Sequence, residues 1–361
     1  MMGKRAQGII QLSKHPGEAP ASDPMAGPPL GRRVFRPRNV ASFLLALVVL
    51  YLVYRQLLGL DWPEVWASTR EASAGLFALA FAVFYCSFFF RALRWRTLLD
   101  NVGYDRAAGN RLPSALGLTK IMYLAWFANC VTIARLGDAY RCYLLKKAAG
   151  VSFTVALGTV LAERLLDLVV MATMMGAGVL VVFHGSLPAE VTRVLAIGLL
   201  LSVVGIVGLL SVRRLRGAVE RVLPKRLHTH YARLEHGLVD SFGQLPMLLA
   251  YSIIGWLIEG ATLYVTAAAV GAPISAAGAL VVALAASLLT TVPFTPAGLG
   301  FTETGLVLML GWLGLDVSTA GAVTLLFRLI NYWSIVVFGL ILYFFGRNEN
   351  RLTKGRLAVH D

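Results

Sequence analysis

The sequence predicts an all-α polytopic membrane protein, and three observations carry that prediction. Charged residues are only 14% of the 361, and 57% are hydrophobic; soluble domains carry about a quarter charged residues. Uncharged runs of 19 residues lie at 72–90 and 194–212, and one of 43 lies at 260–302. A spanning helix needs about 20 mostly apolar residues, so the longest run holds more than one segment. The Lys and Arg residues fall in short blocks between such runs, as they do in cytoplasmic loops. The expected architecture is about six spanning helices plus two re-entrant hairpins in an inverted-topology repeat, or seven to eight spans if the hairpins cross.

Residues 1–39 are rich in Pro, Gly and basic side chains. With no apolar face to bury, they read as a disordered basic cytoplasmic tail. This stretch is too polar and too long for the n-region of a signal peptide. "RRVF" at 32–35 looks like a twin-arginine signal, but the run after it keeps Arg55 and offers no A-x-A cleavage site. Residues 40–58 therefore read as an uncleaved first span.

Charge sets the topology. Lys and Arg number seven in 1–39, five in 91–111, seven in 213–244 and four in 347–361. Segments 59–73, 184–190, 271–275 and 314–318 together hold one, Arg70. The first four segments, and with them both termini, are expected on the cytoplasmic side of a bacterial-type inner membrane. Span 1 then runs outward and span 2 (74–93) returns. The apolar segment 112–134 has Arg106 and Arg111 before it and Arg135, Arg141, Lys146 and Lys147 after it. A hairpin that enters and leaves by the cytoplasmic face keeps both clusters inside; its breaks are Pro113, Gly117 and the region of Gly137. Span 3 (152–183) runs outward and span 4 (191–212) returns to a basic, partly amphipathic cytoplasmic loop, 213–244, suited to anionic headgroups. Span 5 (245–270) runs outward again. The last span (318–346) must run inward to the basic tail 347–361, so residues 276–314 begin and end outside. They hold "TTVPFTPAGLGFTETG", where Pro293, Pro296, Gly298 and Gly300 interrupt the apolar run. Proline removes a backbone donor and glycine tolerates conformations that other residues do not, so this is the second hairpin. The transmembrane domain is thus 40–346, with halves 40–183 and 191–346.

T-x-A-x-L-G occurs at 132–137 and again at 295–300, 163 positions apart. It marks the hairpin break in each half. Paired interrupted segments in two halves point to a midplane binding site. Their unwound backbone must be buried in protein or line a wet cavity, and half-helix N-termini aimed there favour an anion.

Charged residues inside spans are costly and are functional candidates by default. Glu163 and Asp167, four apart, share a helix face in span 3, and Arg164 and Asp167 are three apart. Glu259 lies in span 5, Glu303 follows the second break, and Arg328 and Asn331 lie in the last span. Arg135, Asp138 and Arg141 follow the first break. The substrate-binding candidates are Arg135, Asp138, Arg141, Glu163, Arg164, Asp167, Glu303 and Arg328; the competing reading is a structural network in which these charges pair with one another. Arg91, Arg94 and Trp95 sit at an inner span end and read as membrane-interface anchors.

Other classes are disfavoured. The net charge of +14 is spread over loop blocks and forms no folded basic domain, so nucleic acid is not an expected partner. Cys86, Cys130 and Cys142 have no framework spacing and read as small buried hydrophobes. His228, His230 and His236 lack a further ligand set, so neither a metal nor a cofactor is expected. P-loop, G-x-S-x-G, H-E-x-x-H and dinucleotide-binding signatures are missing.

These motifs resemble the transmembrane region of lysylphosphatidylglycerol synthases and the stand-alone, flippase-like membrane proteins related to it. The resemblance covers 39–347. The family's R-x-x-R-W element matches Arg91, Arg94 and Trp95. Its first break matches Arg135, Gly137, Asp138 and Arg141, with Ile133 in place of the usual proline and Asp138 in place of the usual glutamate. E-R-x-x-D matches Glu163, Arg164 and Asp167. P-x-x-P-x-G-L-G-x-x-E matches Pro293, Pro296, Gly298, Leu299, Gly300 and Glu303. The resemblance implies movement of an anionic or polyprenyl-linked lipid between leaflets. Fifteen residues follow the last span, too few for the synthase domain of bifunctional members, so aminoacyl transfer is not expected. The leading expectation is a lipid or lipid-linked glycan translocase and not an enzyme. Two alternatives stand beside it: an intramembrane lipid-modifying transferase using Glu163 or Glu303 as base, and a non-catalytic partner of a lipid-synthesis enzyme.

Overall fold

A computed structural model describes residues 62–104, 112–132, 135–183, 189–291 and 295–342. Both terminal tails, the first predicted span and the end of the last one lie outside the described residues. All regular structure among the described residues is helical. Five helices are long and apolar enough to cross a membrane: α2 (Ala74–Asn101), α5 (Phe153–Phe183), α6 (Ala189–Val222), α8 (Leu245–Ala269) and α11 (Val317–Arg328), which continues through a π-helical turn at Leu329–Trp333 to residue 342. The chain is an all-α polytopic membrane protein.

Shorter helices fill the gaps between spans. They are α1 (Trp62–Glu71), α3 (Ala115–Val131), α4 (Gly137–Ala149), α7 (Lys225–Val239), α9 (Ala276–Leu289) and α10 (Phe301–Trp312). At about 1.5 Å per residue, α3, α4, α9 and α10 are each too short to cross about 30 Å of hydrocarbon alone. The pairs α3–α4 and α9–α10 occupy the positions of the two expected hairpins.

Local chemistry sets the helix starts. Ser73, Ser114 and Ser275 accept the backbone N–H of Leu76, Gly117 and Gly278, and Asp316 accepts those of Ser318 and Thr319. Such caps satisfy donors that the first helical turn leaves orphaned. Two of these caps extend the internal repeat. S-A-x-G opens α3 at 114–117 and α9 at 275–278, 161 positions apart, close to the spacing of the break motif.

The two halves pack in the same order. In the first, α3 lies on α2 and α4 lies against α3 and α5; in the second, α9 lies on α8 and α10 lies against α9 and α11. The central pair is α2 against α8, and α5 packs on α9. A small residue on α8 permits the close approach of α9. A Cβ at Gly260 would come within 3.0 Å of the Leu280 backbone. Helix α6 is peripheral, with only 6% of its apolar window buried, and it exposes Leu199, Leu200, Val204 and Leu210.

Two expectations need refinement. Segment 59–73, read as an outer loop, contains α1, which packs on α11 and places Glu64 Oε2 2.7 Å from the donating Ser318 hydroxyl. Segment 213–244, read as a loop, is largely helical. Helix α6 does not end at Val212, because charges do not stop a helix and Arg216 pairs with Glu220 one turn on at 2.9 Å. After it, α7 docks on α5 through two glycines. A Cβ at Gly237 would lie 2.2 Å from the Val155 carbonyl oxygen, and one at Gly158 would lie 2.4 Å from that of Leu234.

This contact yields a prediction. Gly237→Val should undock α7, at a cost of about 1–3 kcal/mol for overpacking. Hydrogen exchange in 225–239 should rise and the Tm in detergent should fall. Unchanged exchange in that segment would show that the two backbones are not in contact.

Candidate functional site

Both hairpins are broken at the T-x-A-x-L-G motif, and both breaks are tied off by side chains. In the first, residues 133 and 134 lie outside the described residues. Beyond them the Gly137 N–H donates to Asn129 Oδ1 at 2.8 Å. Helix α4 folds back so closely that a Cβ at Gly137 would lie 1.9 Å from the Ala125 carbonyl oxygen. In the second, Pro293 lies outside the described residues. Pro296–Gly298 forms a single 3₁₀ turn, the Thr295 hydroxyl donates to the Leu299 carbonyl at 3.0 Å, and Glu303 Oε2 accepts the Gly300 N–H at 2.6 Å. Among the described residues, only two non-glycine residues have positive φ: Arg135 (53°) and Ala297 (46°), one in each break. Aligning the motifs pairs Arg135 with Gly298, whose φ is 66°. The two breaks therefore adopt a left-handed conformation at the same motif position, with glycine in one and arginine in the other. A non-glycine residue there costs about 1–3 kcal/mol and marks a site where the surroundings impose the conformation.

The buried charges form three sets. Arg94 bonds Asp167 at 2.5 Å, Glu163 at 3.0 Å and the Ser252 hydroxyl at 2.8 Å. Arg141 bonds Glu163 at 2.9 Å, and Arg164 bonds Asp138 at 2.9 Å. This network ties α2, α4, α5 and α8. The Arg141 guanidinium also lies 5.1 Å from the centre of the Trp95 ring, whose Nε1–H donates to Thr159. In the second set, Arg91 pairs with Glu259 at 3.2 Å and lies between the rings of Trp126 (4.8 Å) and Trp256 (5.1 Å). In the third, Arg328 Nε pairs with Glu303 Oε1 at 2.6 Å, and the guanidinium faces the Tyr332 ring at 4.6 Å.

The interface reading of Arg91, Arg94 and Trp95 is corrected. Their exposures are 6%, 2% and 0%, whereas an anchor at headgroup level keeps its polar tip in water. Their neutralising carboxylates, Glu259 and Asp167, lie on other helices far along the chain, which a local pattern does not reveal.

Between the two breaks lies a small cavity of about 60 Å³, partly open to the outside. Arg135 and Arg328 line it, and Glu303 holds Arg328 from beside it. Asp138, Arg141, Glu163, Arg164 and Asp167 do not line it; they pair with one another and with Arg94. Glu259 and Asn331 also reach the wall, together with Trp126, Asn129, Thr290 and Thr302, which sequence reasoning missed. Uncharged polar residues near helix ends are common, so only their nearness to the breaks could have singled these out. Three donors in this cavity are buried without a partner: Arg135 Nε, Arg328 Nη2 and Thr302 Oγ1. Leaving such a group unsatisfied costs about 1–3 kcal/mol, and the groups are donors throughout or, for the hydroxyl, can be. The arrangement suits an anion with several acceptor oxygens. Arginine binds phosphate through paired N–H groups.

The two kinds of arginine should respond differently to mutation. Arg94→Ala removes the shortest ion pair of Asp167 and one of the two of Glu163, and breaking one partner of a buried pair costs about 3–5 kcal/mol; folded yield and Tm in detergent should drop sharply. Arg135 holds no ion pair among the described residues, so Arg135→Gln should leave the Tm within a few degrees of the parent. Equal losses in the two variants would contradict the division into structural and ligand-facing arginines.

Comparison with known proteins gives a consistent picture. A family model described as lysylphosphatidylglycerol synthase TM region matches residues 39–339. A UPF0104 membrane protein of Methanocaldococcus jannaschii is 34% identical over 219 residues, which is 60% of this chain and 93% of that protein. A UPF0104 membrane protein of Methanothermobacter thermautotrophicus is 26% identical over 274 residues, 70% of this chain and 77% of the other. The glycosyltransferase AglD of Haloferax volcanii is 26% identical over 306 residues; the match takes in 73% of this chain and 47% of AglD. The family match runs through every helix from α1 to α10 and most of α11, and the chain belongs to the lysylphosphatidylglycerol synthase transmembrane-region family.

Proposed function

We propose that the chain is a translocase for a lipid or lipid-linked glycan with an anionic headgroup, working in an inner membrane with both termini cytoplasmic. The observation that carries this reading is the cavity between the two breaks, where unpartnered guanidinium nitrogens of Arg135, in the first break, and Arg328, on the last span, face the same space. The headgroup enters between the breaks while its tails stay in the bilayer. Arg135 and Arg328 bind its phosphate; Glu303 orients Arg328 through their 2.6 Å bond. The Arg94, Arg141 and Arg164 network keeps α4 fixed to α5, so that the first hairpin moves with its own half when the two halves rock in alternating access. Membrane lipids are the partners this reading requires, and a lipid-synthesis enzyme is the natural supplier of the cargo.

A transferase reading draws support from the name of one relative, the glycosyltransferase AglD. The same vesicles separate the two: a translocase changes which leaflet holds a lipid, and a transferase changes its covalent structure.

Purified protein in vesicles containing fluorescently labelled phosphatidylglycerol should expose inner-leaflet label to dithionite faster than protein-free vesicles do. Arg328→Ala should slow that exposure by about tenfold, as expected for loss of a charge-assisted bond. Normal exposure by a folded Arg328→Ala variant would remove Arg328 from the site, and mass-shifted lipid would favour the transferase.

A further inference from the structure

The buried ion pairs in and around the cavity can be counted among the described residues, and the count does not close. Arg91 is neutralised by Glu259, Arg328 by Glu303, and the three arginines of the α2–α4–α5 network by Asp138, Glu163 and Asp167. Arg135 is left over. Among the described residues it makes no ion pair, and its Nε is buried without a hydrogen-bond partner. It sits on the cavity wall in a left-handed conformation that its repeat counterpart, Gly298, meets with no side chain at all. The other titratable groups on the wall, Cys130 and the Glu259 carboxylate held by Arg91, add no free cation. Among the described residues the site therefore carries one surplus positive charge, and that charge resides on Arg135.

A water-poor interior penalises net charge strongly. A ligand that brings one negative charge leaves the cavity neutral. One that brings two reverses its sign, and a zwitterion leaves the surplus in place. Resting on the translocation reading above, we infer that the cavity selects a lipid whose headgroup is a phosphodiester monoanion. A phosphomonoester carries about −1.5 to −2 at pH 7 and is disfavoured. The two remaining unpartnered donors, Arg328 Nη2 and Thr302 Oγ1, match the two non-bridging oxygens and ester oxygens of such a group.

The test offers the purified full chain an equimolar mixture of dioleoylphosphatidylglycerol (diester), dioleoylphosphatidic acid (monoester) and dioleoylphosphatidylcholine (zwitterion) at about pH 8, well above the second phosphate pKa near 6. Lipid retained through a sizing column is quantified by mass spectrometry. The parent should retain the diester about tenfold over the other two. Arg135→Gln should abolish that preference. Glu259→Gln raises the surplus to two and should shift retention to the monoester; combining both substitutions restores a surplus of one and with it the diester preference. Equal retention of monoester and diester by the parent, or an unchanged order in folded Glu259→Gln, would overturn the inference. If Glu259→Gln does not fold, Arg135→Gln decides alone: a preference that survives removal of the surplus charge overturns the inference. Retention of anionic lipid that neither Arg135→Gln nor Arg328→Ala alters would instead overturn the translocation reading itself.

Discussion

The structure depends on neutralising arginine in an interior that cannot hydrate it. A lone guanidinium in a low-dielectric medium is costly, and Arg91, Arg94, Arg141 and Arg328 each meet a carboxylate with good geometry. Arg94 meets that demand with two carboxylates at once. Because its partners lie on α5 and Ser252 lies on α8, the same bonds fix how α2, α5 and α8 sit together. Arg91 and Glu259 do the same between α2 and α8, which come from different halves. Helix packing in lipid lacks a hydrophobic drive between helices, so these pairs, with the small residues at Gly260, Gly158 and Gly237, carry much of the specificity that apolar burial supplies in a soluble protein.

A second constraint is the backbone at the breaks. Unwinding a helix away from water leaves N–H and C=O groups that lipid cannot satisfy. Here Asn129 accepts the N–H that starts α4, and Glu303 accepts the one that starts α10. Glu303 thus serves the backbone of the second hairpin and the side chain of Arg328 together. A ligand that engages Arg328 acts directly on the residue that caps α10, which links occupancy of the cavity to the start of a hairpin helix.

Much of this was legible in the sequence, and the limits have physical causes. The starts of α2, α5, α8 and α11 fall within one residue of the expected spans, because uncharged runs are bounded by charge and by Ser or Asp caps. Both hairpins were legible from Pro and Gly. The S-A-x-G caps were equally visible and would have strengthened the repeat. The extent of α6 was not, since Arg213 and Arg216 on a helix look the same as in a loop. Nor was the sorting of charges. Glu163 and Asp167 read as site residues and prove to hold Arg94, a partner about 70 positions away that only the packing of α2 on α5 supplies. Arg135 was expected to follow the break and lies within it, and its lack of an ion pair among the described residues is a property of the whole set.

The two halves are alike in order of packing and unlike at one motif position. Where the second break has Gly298, which adopts φ of 66° without a side-chain clash, the first has Arg135 at 53°. Glycine is the residue that local sterics favour there. An arginine at that position is strained by about 1–3 kcal/mol, and among the described residues no carboxylate pairs with it. Both penalties fall on one residue, whose carbonyl accepts the Asp138 N–H at the start of α4 but whose guanidinium makes no ion pair among the described residues. What Arg135 adds is a cation on the wall of the cavity, at the point where the chain has already unwound and the paired arginines end. The asymmetry between Gly298 and Arg135 therefore separates the part of the repeat that builds the bundle from the part that gives its cavity a charge.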